Sequence, residues 1–326
     1  MKSSGNPGLA MLMLAAGIVA SLTQLSHAQN REVIDEARLV SPNERVTLDV
    51  MRGEVTIRPG DDNTLRIRGV LDELAEGYEL ESGNGFTQFT VVMPRNMRNR
   101  GGDRDDGSDL EIIVPAGSDV QFSGVNVDVD IADIQGGARI TTVNGSITAA
   151  GLREFIQLRT VNGRISSDRN LGRIEIETVN GEVTDRASEG RIALQAVNGE
   201  IDIDSRAEEV QLTVVNGEIN ANLAGAQSLE FSGVNGSIDI RLREAARPRV
   251  RGSSVSGEIS LGLDPMVDAR FNLQSNVGRS IENELSDDEP QRPQFGPGRS
   301  LRFMTGEGSG TVDVTTVSGE IRLRRN

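Results

Sequence analysis

A five-residue phrase, Val-Asn-Gly-x-Ile/Val, begins at Val143, Val161, Val179, Val197 and Val215, each copy 18 residues after the last. A degenerate copy, Val125-Asn126-Val127-Asp128-Val129, stands 18 residues ahead of the first. Looser copies follow at Val234, Val255 and Val317, the last two with Ser in place of Asn. A fixed period of this size describes small units that cannot bury their own apolar faces and do so only by stacking on one another. That constrains architecture strongly and chemistry weakly.

Within one period, Gly172 to Glu189, Ile174 and Ile176 are apolar while Glu175 and Glu177 are charged, the period-two pattern of a half-buried strand. The same columns hold Ile156 and Leu158, Ile192 and Leu194, Val210 and Leu212, and Leu229 and Phe231. After Asn-Gly a second arm begins at Val183, Ile201, Ile219 and Ile238. Two architectures fit. Asn-Gly between alternating runs is a strong hairpin signal, which would give an antiparallel meander. Alternatively each period is one coil of a parallel β-solenoid, with like positions stacked about 4.8 Å apart. In a hairpin Val179 would sit opposite Glu182 on the solvent face, and so would its counterparts in the other copies; a bend at Asn-Gly would instead turn these valines inward. The expected fold is therefore all-β, a parallel β-helix-like solenoid of about 18-residue coils with less regular terminal coils. In it Asn126, Asn144, Asn162, Asn180, Asn198, Asn216 and Asn235 form a ladder of side-chain amides, each bonded to its neighbours above and below.

Composition agrees with thin layers. The chain has no Trp, one Tyr and eight Phe, so Val, Ile and Leu must build the core. It has no Cys, which excludes disulfides, thiolate metal sites and cysteine nucleophiles. Its one histidine, His27, falls in residues 1–28, which read as a secretory signal peptide: Lys2, an apolar run from Leu9 to Leu25, and Ser26-His27-Ala28 before the cleavage point. The net charge of −15 argues against a grip on nucleic acid or an anionic membrane, and no stable membrane insertion is expected after the leader is removed. Residues 29–45 read as a polar lead-in with weak helical character from Val33 to Leu39. Residues 46–117 read as an irregular N-terminal cap of strands, 118–265 as the regular repeat, and 266–326 as irregular coils with an exposed loop at 282–300. An Asp-rich loop, Asp103 to Asp109, resembles a calcium loop, but its glycine and its twelfth residue, Val114, are wrong for one.

The phrase Val-[Asn/Ser]-Gly-[Glu/Ser]-Ile, many times in register behind Ile112-Ile113-Val114-Pro115-Ala116-Gly117, resembles the bacterial putative-adhesin family, a domain-of-unknown-function family of exported β-solenoids. The resemblance covers roughly residues 46–325. It implies a right-handed β-helix-like stack and an envelope location, periplasmic, cell-surface or secreted. It supplies no catalytic residues and no cofactor. The function expected is a non-catalytic scaffold that presents a rigid face to a protein or glycan of the envelope. Two other classes stand beside it, a carbohydrate-active β-helix enzyme using surface carboxylates and an accessory protein of envelope stress or signalling. Glu182, Glu200 and Glu218 form the candidate interaction strip, a like-charge column able to attract cations weakly or to be relieved by arginines such as Arg164. Asp202, Asp204 and Asp239 make a second acidic patch. These carboxylates recur with the repeat, whereas a catalytic pair would break its symmetry.

Overall fold

The computed structural model describes residues 31–95, 107–277, 280–294 and 296–326. The leader and residues 103–106 of the calcium-like loop lie outside the described residues. Among those described there are twenty-two strands in one sheet and no helix, so no helix is long and apolar enough to cross a membrane.

The repeat folds as a parallel solenoid. Its coils run through β7 (Asp119–Ala132), β8 (Ala138–Asn144), β9 (Ile147–Ala150), β10 (Arg153–Asn162), β11 (Ile165–Asp168), β12 (Leu171–Asn180), β13 (Val183–Ala224), β14 (Ser228–Asn235), β15 (Ile238–Arg243), β16 (Arg249–Ser256) and β17 (Glu258–Leu263). First arms stack on first arms, Ile156 beside Ile174 and Ile174 beside Ile192, and second arms on second arms, Ile165 beside Val183 and Ile219 beside Ile238. The inward aliphatics of both arms are fully buried and form one continuous core. Each buried Ile or Leu contributes roughly 1.5–3 kcal/mol through removal of apolar area from water.

One expectation is corrected. The valine before Asn does not turn inward: Val143, Val161, Val179 and Val234 are 37–38% exposed. The residue that points in is the one before it, Thr142, Thr160, Thr178, Ala196 or Val214. The alternation Ile174, Ile176, Thr178 runs to the end of the first arm, and the bend then puts Val179 and Asn180 both on the outside before Val183 resumes the core. The buried hydroxyl of Thr160 finds a partner on the coil before, donating to the Gly145 carbonyl at 3.0 Å. A second bend follows the second arm, where a residue takes the left-handed backbone region: Asp133 (φ 60°), Gly151 (65°), Arg169 (50°) and Ala187 (53°).

At both ends the chain is stacked out of sequence order. β2 (Arg45–Gly60) is itself a coil, lying in register against β7 with Leu48 beside Phe122 and Ile57 beside Ile131. On its other side it carries β5 (Phe86–Val92) on its first arm and β6 (Ser108–Pro115) on its second, both parallel. The chain thus lays down β2, moves outward to β5 and β6, and returns over β2 to start β7. The outer face is then closed by antiparallel strands: β3 (Thr64–Val70) on β6, β1 (Val33–Leu39) on β3, and β4 (Gly77–Gly83) on β5. The stretch expected to be weakly helical, Val33 to Leu39, is strand β1, because pairing with β3 overrides its local preference.

The C-terminal end repeats the arrangement. β18 (Ala269–Ser275) and β19 (Ile281–Asn283) form the outer coil, and β20 (Arg299–Met304) closes it antiparallel to β18. The last strands, β21 (Gly310–Thr316) and β22 (Glu320–Arg325), insert between that coil and β16 and β17. Phe271 and Phe303 stack at 4.3 Å beneath the closing strand. An open solenoid end exposes unpaired backbone, and antiparallel closing strands cover it.

Candidate interaction face

The corner between the two arms places like residues in columns along the stack. Each asparagine amide donates to the side-chain carbonyl of the coil before it: Asn144 to Asn126 and Asn162 to Asn144 at 2.7 Å, Asn180 to Asn162 at 2.8 Å, Asn198 to Asn180 at 2.9 Å, Asn216 to Asn198 at 3.0 Å, and Asn235 to Asn216 at 3.1 Å. At one end the ladder is closed by the Ser256 hydroxyl, which donates to Asn235 Oδ1 at 2.8 Å. At the other end Arg52 occupies the register position beside Asn126, and it pairs with Asp72 at 2.9 Å, both residues buried. Asn162, Asn180, Asn198 and Asn216, all exposed, each use one N–H and one lone pair in the ladder, which leaves a second N–H and a second lone pair toward solvent.

The glycine after Asn is required by close approach. A Cβ on Gly181 would stand 1.9 Å from the Gly163 carbonyl oxygen, and one on Gly199 would stand 1.7 Å from that of Gly181. Backbone N–H groups cross the same gap, Gly163 donating to the Asn180 carbonyl at 3.2 Å. No side chain fits between coils there.

On one side of the ladder runs the half-exposed valine column. On the other lie the candidate acidic residues. Glu182 is paired with Arg164 of the coil before it at 2.9 Å, and Glu200 accepts from the Asn220 amide at 2.8 Å. Glu218 is exposed, and among the described residues it makes no ion pair. Among the described residues no three carboxylates or imidazoles are placed to hold a metal ion. The second patch is less acidic than its sequence suggests. Arg186 stands 3.9 Å from Asp202 and Arg324 stands 3.8 Å from Asp239, so the outer face of the second arms carries interleaved charges of both signs. Asp202, Asp204, Asn220, Asn222 and Asp239 line a shallow depression of about 200 Å³ on this face, walled by Arg186 and Arg241.

The sequence reading did not single out the inner side of the second bend, at the far end of the second arm. Asp185 lies in the column otherwise filled by Ala149, Ser167, Ile203 and Ala221, and it is fully buried. Burial pushes its pKa from 3.8 up to about 6, against the opposing effect of hydrogen bonds from Ser167 and Ser188. The break in an aliphatic column was the available signal.

The Toastrack DUF4097 family matches residues 43–284. Two solved structures are similar: a putative adhesin from Parabacteroides distasonis, 11% identical, covering 91% of this chain and 98% of that one with a TM-score of 0.40, and a putative cell adhesion protein from Clostridium sporogenes, 10% identical, covering 90% and 100% with a TM-score of 0.25. No curated protein sequence matches the chain.

Proposed function

From a chain that belongs to the Toastrack family and carries one surface chemistry repeated coil after coil, we propose a non-catalytic, adhesin-like protein of the cell envelope, exported by its leader. The observation that carries this reading is the corner itself. Half-exposed valines, a bonded asparagine row with spare donors and acceptors, and an acidic column repeat at the pitch of the stack, about 4.8 Å. Such a surface suits an extended, repetitive ligand with apolar faces and hydroxyls, and a glycan of the envelope has both. The backbone beneath is paired in register from coil to coil and the core is continuous, so the face is held in place before contact and little ordering entropy opposes binding.

The test uses the chain from residue 29 onward, immobilised and exposed to envelope extract and to a glycan array. Specific capture of a glycan supports the reading. So does its loss in a variant that changes only the corner, with Val161, Val179 and Val197 replaced by Thr and Glu200 and Glu218 by Gln. Turnover of a polysaccharide by the purified chain contradicts the non-catalytic assignment, and a wild-type population found uncleaved in the cytosol contradicts export.

A further inference from the structure

Inside the stack, beneath the second bend, four polar side chains cluster against the aliphatic core. Ser167 and Asn170 belong to one coil, Asp185 and Ser188 to the next, and all four are at most 1% exposed. Their bonds form a closed set. The Asn170 amide donates to Ser167 Oγ at 2.8 Å and to the Ala149 carbonyl at 3.2 Å, and its Oδ1 accepts from the Leu152 N–H at 2.8 Å. The Asn170 N–H donates to Ser188 Oγ at 3.3 Å. Ser188 Oγ donates to Asp185 Oδ1 at 2.7 Å, and Ser167 Oγ donates to the same oxygen.

Both hydroxyls therefore converge on Oδ1, and Asp185 Oδ2 is buried with no hydrogen-bond partner. A carboxylate in this position would keep its charge with one oxygen bare, out of reach of water. Among the described residues no cation compensates. The coil before contributes Ala149 and Leu152 to this part of the core, and the coil after contributes Ile203 and Ser205. The charged group whose field reaches Asp185 is Asp168, a like charge that favours the neutral acid; it is paired outside with Arg169 at 3.0 Å. Arg186, the next residue, faces outward toward Asp202.

We propose that this cluster is a proton-operated joint in the solenoid. While Asp185 carries its proton, β11 and the start of β13 stay zipped through Ile165–Val183 and Ser167–Asp185. When the proton leaves, the core cannot solvate the charge, and the segment Val183 to Ser188 loosens from the coil before it. With Asp185 titrating at about 6 in the closed stack and at 3.8 in the open one, the loosening builds up as pH rises from about 4 to about 6. The joint lies at one bend of the stack, and the neighbouring coils have no buried carboxylate in the equivalent place. Arg186 moves with the segment, so its wall of the surface depression changes with the joint.

The test is hydrogen–deuterium exchange of the whole chain at pH 5 and pH 7.5, corrected for intrinsic rates. With the closed segment titrating at about 6 and the opened one at 3.8, the opening constant rises about 100-fold over the whole titration and about 10-fold between pH 5 and pH 7.5. The rise is expected in peptides spanning 165–171 and 183–190 and not in β15. Asp185→Ser, which installs the residue found one coil earlier, removes the pH dependence. Should that variant fail to fold, carboxyl-carbon NMR of the wild-type chain reads the same quantity, with a midpoint near 6 expected for Asp185. Equal protection at both pH values, pH dependence that survives Asp185→Ser, or a midpoint near 4 overturns the proposal.

Discussion

Asn84-Gly85 and Asn180-Gly181 are the same dipeptide used in two ways. At the N-terminal cap, Gly83 pairs with Phe86 across a two-residue loop, and Asn84 (φ 55°) and Gly85 (φ 77°) both take the left-handed region, as a tight hairpin demands. In the stack, neither Asn180 nor Gly181 has a positive φ, and the chain bends without reversing. There glycine is selected by the carbonyl of the neighbouring coil and asparagine by the amide row. The dipeptide does not choose between hairpin and corner. What chooses is whether a second copy of the same bend lies about 4.8 Å away to bond with.

Substitutions separate the two uses, and the largest effect falls in the stack. Gly181→Ala forces a methyl group onto backbone at 1.9 Å and should cost more than about 4 kcal/mol, or prevent folding, in denaturant unfolding. Gly85→Ala meets open space, its nearest neighbour being Ser41 Oγ at 3.9 Å, and should cost only the left-handed strain of about 1–2 kcal/mol.

Next in size is the inner side of the second bend. The folded-state pKa of Asp185, about 6, lies above its unfolded value of 3.8. Below about pH 4 both states hold the proton and the group contributes nothing to pH dependence. Between about pH 4 and 6 the unfolded chain alone releases it, so stability falls with rising pH, by up to about 3 kcal/mol relative to acid conditions once pH has passed 6. Asp185→Ser flattens that limb of the profile, which thermal unfolding across pH 4 to 7.5 measures.

Asn180→Ala removes two ladder bonds and should cost about 1–3 kcal/mol, while Asn126→Ala, at the ladder's end, loses one and should cost about half as much. Asn84→Gly keeps the hairpin turn and should change stability by a few tenths of a kcal/mol only. Val179→Thr, on the half-exposed column, should fall within about 0.5 kcal/mol by the same measurement.

Much of this molecule is legible from periodicity. The columns Ile174, Ile176 and Val183 announce themselves through an 18-residue repeat, and the asparagine row follows once stacking is assumed. The valines mislead because both the inward Thr178 and the outward Val179 are β-branched and a bend hides the phase; hydrophobicity alone assigns the wrong one to the core. The second bend leaves almost no trace in sequence, since Asp133, Gly151, Arg169 and Ala187 share a backbone conformation and no side-chain chemistry. The insertion of β2 between β6 and β7, and of β21 between β16 and β18, depends on strand pairings far apart in the chain, which a repeat count cannot register. Of the candidate strip, the pairing of Glu182 with Arg164 follows from their one-coil offset, whereas the arginines that break up the Asp202 and Asp239 patch become visible only when the coils are stacked.

The parallel stack can be tested most directly by crosslinking, because the chain has no cysteine of its own. Gln157 and Glu175 are register partners on adjacent coils with their side chains bonded at 3.1 Å. Adjacent parallel strands bring their Cα atoms to about 4.8 Å, within disulfide range, whereas a meander would separate the pair by two strands. Gln157→Cys with Glu175→Cys is predicted to form an intramolecular disulfide under mild oxidation, read by mass spectrometry, while Val179→Cys with Glu182→Cys is predicted to stay reduced. A disulfide in the second pair and none in the first would mean that Asn180-Gly181 reverses the chain, and the solenoid described here would be wrong.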